Sequence, residues 1–149
     1  HYVLSMGAVL SVFGGYYYWS GKIIGYKYNE ILGQIQYWLF FIGVNMTFGP
    51  MHFLGLAGMP RRISDYPDAY AGWNKIASIG SMITVISALL FIYIIYRQLT
   101  DKEIEREYNW QESEYFGNRN NIRKIKSESI ESLLPNPPKY HTYEEVPVM

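Results

Sequence analysis

The sequence predicts an all-α integral membrane protein: a three-helix transmembrane segment over residues 1–100 and a polar, flexible C-terminal tail over 101–149. Three observations predict it. Charge is absent from Tyr2–Gly21, Ile31–Pro60 and Ile76–Tyr96, and about 20 mostly apolar residues let a helix cross a bilayer. Small residues recur at helical spacing within these stretches, which lets backbones approach closely in lipid. Aromatic residues gather near segment ends (Tyr16, Tyr17, Tyr18, Trp19, Tyr93, Tyr96), as in an interfacial belt. The mean hydropathy is near neutral only because most of the charge lies from Arg97 onward. The competing reading is three buried helices of a soluble protein. It would need a core that the short polar remainder does not supply.

The first helix is predicted over Tyr2–Trp19. Gly7, Ser11 and Gly14 share one face, with His1, Ser5, Ala8 and Val12 on an adjacent stripe. SGKIIGYKYNE then reads as a short surface loop with two glycines and two lysines. The second helix is predicted over Gln34–Leu56. Gly49-Pro50 interrupts it, and a kink is expected because proline removes a backbone donor and crowds the preceding turn. Asn45 and Thr47 read as helix–helix hydrogen-bonding groups. A Gly/Pro/Asp-rich connection follows, carrying Arg61, Arg62, Asp65 and Asp68.

The third helix is predicted over Lys75–Tyr96. Ala77, Gly80, Ser81, Thr84, Ser87 and Ala88 form a small, weakly polar face, opposite Ile79, Ile83, Ile86 and Leu90. Such faces suit a bundle larger than three helices. Residues 101–134 read as a loosely helical surface tail. LPNPPKYHTYEEVPVM reads as an extended proline-rich end, free or laid on a partner surface. Three spans put the first loop and the tail on one side, with Lys22, Lys27, Arg97, Lys102 and Arg106; Arg61, Arg62 and Lys75 fall on the other. The positive-inside rule favours the tail side as the inner one.

Composition excludes several chemistries. With no cysteine there is no disulfide, thiolate zinc site or cysteine-held iron–sulfur cluster. Zero net charge disfavours nucleic acid as a partner. Only three histidines exist, His1, His52 and His141, and they lie too far apart in sequence to suggest a multi-histidine metal centre. His1, beside an apolar helix, is a candidate ligand for a metal or haem iron; the alternative is an exposed terminal ring. Arg61 and Arg62 can clamp carboxylates or phosphates through forked hydrogen bonds; the alternative is an anchor at lipid headgroups, partly neutralised by Asp65 and Asp68. His52, inside a span, is expected to face protein or water, or to bond the backbone freed by Pro50.

HYVLSMGAV, FIGVNMTFGPMHFLGLAGMPRR, SDYPDAYAGWN and PPKYHTYEE, in this order and spacing, resemble the C-terminal quarter of the cytochrome c oxidase subunit I family of haem–copper oxidases. GYYYWSGKIIGYKYNE is similar to fungal mitochondrial members. The resemblance implies the last three of twelve transmembrane helices. In the family, two histidines separated by one residue directly precede Tyr-Val-Leu-Ser. The first ligates a high-spin haem and the second a low-spin haem. His1 matches the second, which implies a low-spin haem A ligand, while the high-spin haem and copper are held by residues outside this chain. Arg61 and Arg62 match residues that hold haem propionates, which gives a functional reason for arginines on the outer side. Ser5, one turn from His1, is expected to touch the haem edge or to bond back to its own helix.

The resemblance further implies a component of a proton-pumping oxidoreductase in the mitochondrial inner membrane. Its implied partners are the upstream part of subunit I, oxidase subunits II and III, the lipid bilayer, and cytochrome c as an indirect electron donor. The chain is expected to be a fragment of a longer subunit or one product of a split gene, inactive alone. The alternative from another class is an oxidase-derived structural or assembly segment that binds no haem.

Overall fold

The computed structural model describes residues 1–102 together with 137 and 140. A π-helical run, Tyr2–Ala8, leads directly into α1 (Val9–Ile24). α2 spans Glu30–Leu56, and a 3-10 turn, Asp68–Tyr70, opens α3 (Ala71–Asp101). Two helical runs, Glu30–Leu56 and Asp68–Asp101, are long and apolar enough to cross a membrane. The first segment is helical throughout, but its α-helical part has only 16 residues. The tail expected over 101–149 lies almost wholly outside the described residues.

Each helix overruns its predicted limits, because hydropathy marks only the part that would sit in lipid and not the polar turns beyond it. α1 continues through Ser20, Gly21 and Lys22, all buried, so part of the stretch read as a surface loop is packed helix. Gly25, at φ +82°, ends it in the left-handed conformation that glycine adopts without strain. α2 starts four residues before Gln34, where Asn29 caps it: the Asn29 Oδ1 accepts from the Leu32 N–H at 3.1 Å. Pro50 does not interrupt α2, which runs through it.

α2 and α3 form an antiparallel pair, and their buried positions step by three and four residues. On α2 these are Gly33, Gln36, Phe40, Gly43, Thr47, Pro50 and Leu54, with Val44 also buried beside Gly43. On α3, Ala77, Gly80, Ser87, Ile94 and Gln98 are buried, with half-buried Thr84 and Phe91 completing the series. An alternation of three and four averages 3.5 residues, the period that keeps one seam facing a partner. Ser81 and Ala88, expected on the contact face, fall outside this seam and are exposed. The pair is closest at two glycines. A Cβ on Gly80 would lie 2.6 Å from the Thr47 nitrogen and 2.8 Å from the Gly43 oxygen. A Cβ on Gly43 would lie 2.6 Å from the Thr84 Oγ1 and 3.0 Å from the Gly80 oxygen.

α1 lies on this pair through aromatic rings rather than small residues. Phe13 meets Phe40 at 5.0 Å and Phe91 at 4.7 Å, and Tyr16 meets Phe91 at 5.0 Å. Tyr16 and Tyr17, assigned to an interfacial belt, are therefore half-buried packing residues, while Tyr18, Trp19, Tyr93 and Tyr96 remain exposed. Gly7, Ser11 and Gly14 are exposed within this chain.

Two polar networks join the three helices. Gln36 and Ser87 are fully buried. The Gln36 Nε2 donates to the Ser87 Oγ at 3.1 Å, the Ser87 Oγ donates to the Gln36 carbonyl at 2.9 Å, and the Tyr17 hydroxyl donates to the Gln36 Oε1 at 3.1 Å. Nearer the α1–α2 turn, Gln98 accepts from the Tyr16 hydroxyl at 2.6 Å and donates to the Tyr26 carbonyl at 2.6 Å and the Ser20 Oγ at 3.3 Å. This bond from the end of α3 to the first turn places the two on one side, as expected. Gln36→Leu removes two side-chain bonds from the first network. At about 0.6 kcal/mol per bond, plus the desolvation of stranded hydroxyls, we expect a loss of roughly 2 kcal/mol. Thermal denaturation of the assembled complex measures it, with Tyr37→Leu, exposed one residue on, nearly neutral.

Candidate functional site

His1 and Tyr2 are held against one face of α2. The His1 ring stacks on Phe48, with centroids 4.5 Å apart and planes within 6°. The Tyr2 hydroxyl donates to the Asn45 Oδ1 at 3.2 Å, and its ring meets His52 edge-on at 5.2 Å. Asn45, Phe48 and His52 are three and four residues apart, so they share one helix face. The Asn45 Nδ2 is tied to the Phe41 carbonyl at 2.8 Å, which fixes the amide that receives Tyr2. Asn45 thus makes the interhelical bond expected of it. Thr47 does not: its hydroxyl donates to the Gly43 carbonyl of its own helix at 2.7 Å, because the close glycine crossing leaves no room for a longer reach.

His52 Nδ1 lies 2.9 Å from the Phe48 carbonyl. A carbonyl only accepts, so Nδ1 is the donor in this bond. The proline-freed carbonyl, four residues before Pro50, is that of Met46, so His52 bonds a different one. Among the described residues no hydrogen bond reaches the His1 ring or the Ser5 hydroxyl. His1 precedes the π-helical run as its cap, and its carbonyl accepts from the amides of Ser5 at 2.7 Å and Met6 at 3.3 Å. π-helical insertions occur often at functional sites. YVLSMGA contains no proline to announce one, and Gly7 is its one helix-weakening residue.

The paired arginines lie beyond the end of α2. Gly58, at φ +92°, takes the left-handed position after the helix. The Met59 amide donates to the Leu54 carbonyl at 3.0 Å and the Gly58 amide to the Gly55 carbonyl at 3.1 Å. This is the Schellman arrangement, with Pro60 following as a stop. The connection is braced from α3: the Tyr70 hydroxyl donates to the Ala57 carbonyl at 2.9 Å, Asn74 reaches the Met59 sulfur at 3.5 Å, and Phe53 packs on Trp73 at 5.1 Å. Arg61 and Arg62 are exposed, and Arg62 has φ +56°, a strained conformation for a residue with a side chain.

The aspartates expected to neutralise the arginines do not pair with them. Asp65 accepts from the Tyr66 amide at 2.8 Å. Among the described residues the one ion pair is Arg97 with Asp101, at 2.7 Å. No group of three metal-ligating side chains occurs there either.

His1 and the arginines therefore lie toward the same end of α2, without touching. Eight residues separate Phe48 from Leu56, about 12 Å along the helix axis. The donor set is one imidazole without a hydrogen bond and two unpaired guanidinium groups beyond it. An axially ligated macrocycle bearing two carboxylates fits this set: imidazole suits haem iron, and arginine stays charged and binds carboxylates through two parallel bonds. Phe48 is a participant that sequence reasoning missed. One signal for it is its place between Asn45 and His52 on the face presented to His1.

Residues 1–94 match the family model described as Cytochrome C and Quinol oxidase polypeptide I. The chain is 53% identical to cytochrome c oxidase subunit 1 of Eremothecium gossypii over 96% of this chain. It is 48% identical to that of Candida albicans and 47% identical to that of Yarrowia lipolytica, each over 100% of this chain. It spans 28% of the length of each of these relatives.

Proposed function

The chain belongs to the cytochrome c and quinol oxidase polypeptide I family, and from that premise we propose that it is the part of a cytochrome c oxidase subunit that holds a low-spin haem A. The carrying observation is the His1 ring, which makes no hydrogen bond among the described residues and stacks on Phe48 at 4.5 Å. In this reading His1 would ligate the iron, and Arg61 and Arg62 would hold the propionates. The haem supplies a reversible one-electron carrier when bound.

The chain's own residues orient and neutralise. Phe48, with Tyr2 on Asn45, restricts the imidazole to one ring plane, which limits the reorganisation needed at the ligand. The arginines offset carboxylates that would be costly at the edge of an apolar region. The Schellman turn at Gly58 and the bond from Tyr70 hold those arginines where the helix ends. The wider proposal is three membrane crossings, the first formed by Tyr2–Ile24, in the mitochondrial inner membrane. The chain works there with the rest of subunit I and with subunits II and III, and cytochrome c is the indirect donor. Copper and the high-spin haem are held by residues outside this chain, and oxygen reduction with proton pumping belongs to the whole enzyme.

Arg61→Leu and Arg62→Leu, each in the assembled complex, test this reading. A positive charge held against a propionate favours the reduced, less positive form of the haem; at an effective dielectric of about 20, a unit charge roughly 10–15 Å away is worth about 50–70 mV for one electron. Each variant is expected to lower the low-spin haem potential by some tens of millivolts in a redox titration, with the haem retained. Unchanged potentials in both would remove the arginines from the proposal.

A further inference from the structure

The proline-rich end of the chain has no part in the haem reading, and one of its described residues lies against a part of the chain distant in sequence. Pro137 sits against Gly25, 112 positions away in the chain. A Cβ built on Gly25 would fall 2.6 Å from the Pro137 Cδ, 3.3 Å from its Cγ and 3.4 Å from its nitrogen. No side chain fits between them. Gly25 therefore meets two demands at once: φ +82° to end α1, and an open Cα face for the ring.

The turn that receives Pro137 is a firm seat. The Gly25 amide donates to the Gly21 carbonyl at 2.8 Å. The next residue, Tyr26, has its carbonyl held by Gln98 at 2.6 Å, and Gln98 is itself 2% exposed and fixed by Tyr16 and Ser20. Tyr28, on the far side of the turn, packs its ring on Tyr17 at 4.8 Å. All three helices therefore support the turn from beneath. Proline suits such a seat because its backbone angle is already fixed, so less freedom is lost on docking.

We propose that the α1–α2 turn is the docking seat of the chain's own C-terminal proline segment, with Pro137 capping Gly25. The seat holds Pro137 at the end of the helices opposite His1 and the arginines. The occupant is this chain itself. A membrane headgroup or a partner protein at the same turn would be displaced by it.

The chain contains no cysteine, so an engineered pair reports without background from within it. Gly25→Cys with Pro137→Cys is made in the assembled complex. Replacing Pro137 also removes the ring carbons at 2.6 and 3.3 Å, leaving room for the new Cβ. Mild oxidation is expected to join the pair in most molecules, seen by mass spectrometry of the linked peptides. Gly58→Cys with Pro137→Cys is expected to give no such link. Equal linkage in the two pairs, or none in either, overturns the proposal.

A second comparison separates docking from backbone strain. Gly25→Ala and Gly58→Ala both place a side chain at positive φ, +82° and +92°. Only Gly25 faces Pro137; the nearest atom to a Cβ on Gly58 is the Tyr70 hydroxyl at 4.0 Å. Tryptic cleavage after Lys139 is expected to rise several-fold in Gly25→Ala and to stay at the wild-type rate in Gly58→Ala. The same rate in both variants overturns the proposal. Neither readout depends on haem, so failure here leaves the haem reading standing, and the reverse also holds.

Discussion

His1→Ala, made in the assembled complex, is expected to abolish the low-spin haem signal. An alanine methyl offers no lone pair, and the pocket it leaves contains no second imidazole on the same stretch: His52 is turned to the Phe48 carbonyl through Nδ1. The loss is qualitative, since one axial ligand is gone. His1→Met separates ligation from packing. It keeps a ligand, and methionine in place of histidine raises the potential of a ligated haem. A low-spin band retained at higher potential in His1→Met, and absent in His1→Ala, is the expected pair of results. Visible and electron paramagnetic resonance spectra read both. Unchanged spectra in His1→Ala would favour the rival in which this segment packs within the oxidase but binds no haem.

Gly80→Leu is expected to prevent the chain from accumulating in the membrane. Overpacking a core that can shift costs about 1–3 kcal/mol. Here the obstructing atoms are the Thr47 nitrogen at 2.6 Å, the Met46 carbonyl carbon at 2.7 Å and the Gly43 oxygen at 2.8 Å. All are backbone, so α2 and α3 must separate along their length. The Gln36–Ser87 bonds, two turns further along, would then break as well. Ser81→Leu, one residue on and exposed, is the control and is expected to accumulate normally. Steady-state chain levels and thermal stability of the complex check both. Normal accumulation of Gly80→Leu would mean that the two helices do not cross at these glycines.

The contact face of α3 was legible because small residues mark it: Ala77, Gly80, Thr84 and Ser87 all face α2. Ser81 and Ala88 were misplaced because small size alone does not separate the seam from the positions one residue beside it. The inward face of α2 was not legible. It mixes Gln36, Phe40, Gly43, Thr47 and Pro50, and in an apolar segment hydropathy does not separate a helix neighbour from lipid. Gly7, Ser11 and Gly14 promised close packing, yet α1 meets its neighbours through Phe13, Tyr16 and Tyr17. Near the candidate site, the end of α2 at Leu56 was readable, because a Gly/Pro-rich connection follows it. The Phe48 stack was not, because it depends on the register between two helices that no local pattern sets.

The most direct test of the haem-holding role is a reduced-minus-oxidised visible spectrum of the complex isolated through a tag on this chain in mild detergent. A haem A band that copurifies in proportion to the chain is the predicted result. A chain recovered with its membrane partners but without that band would contradict it.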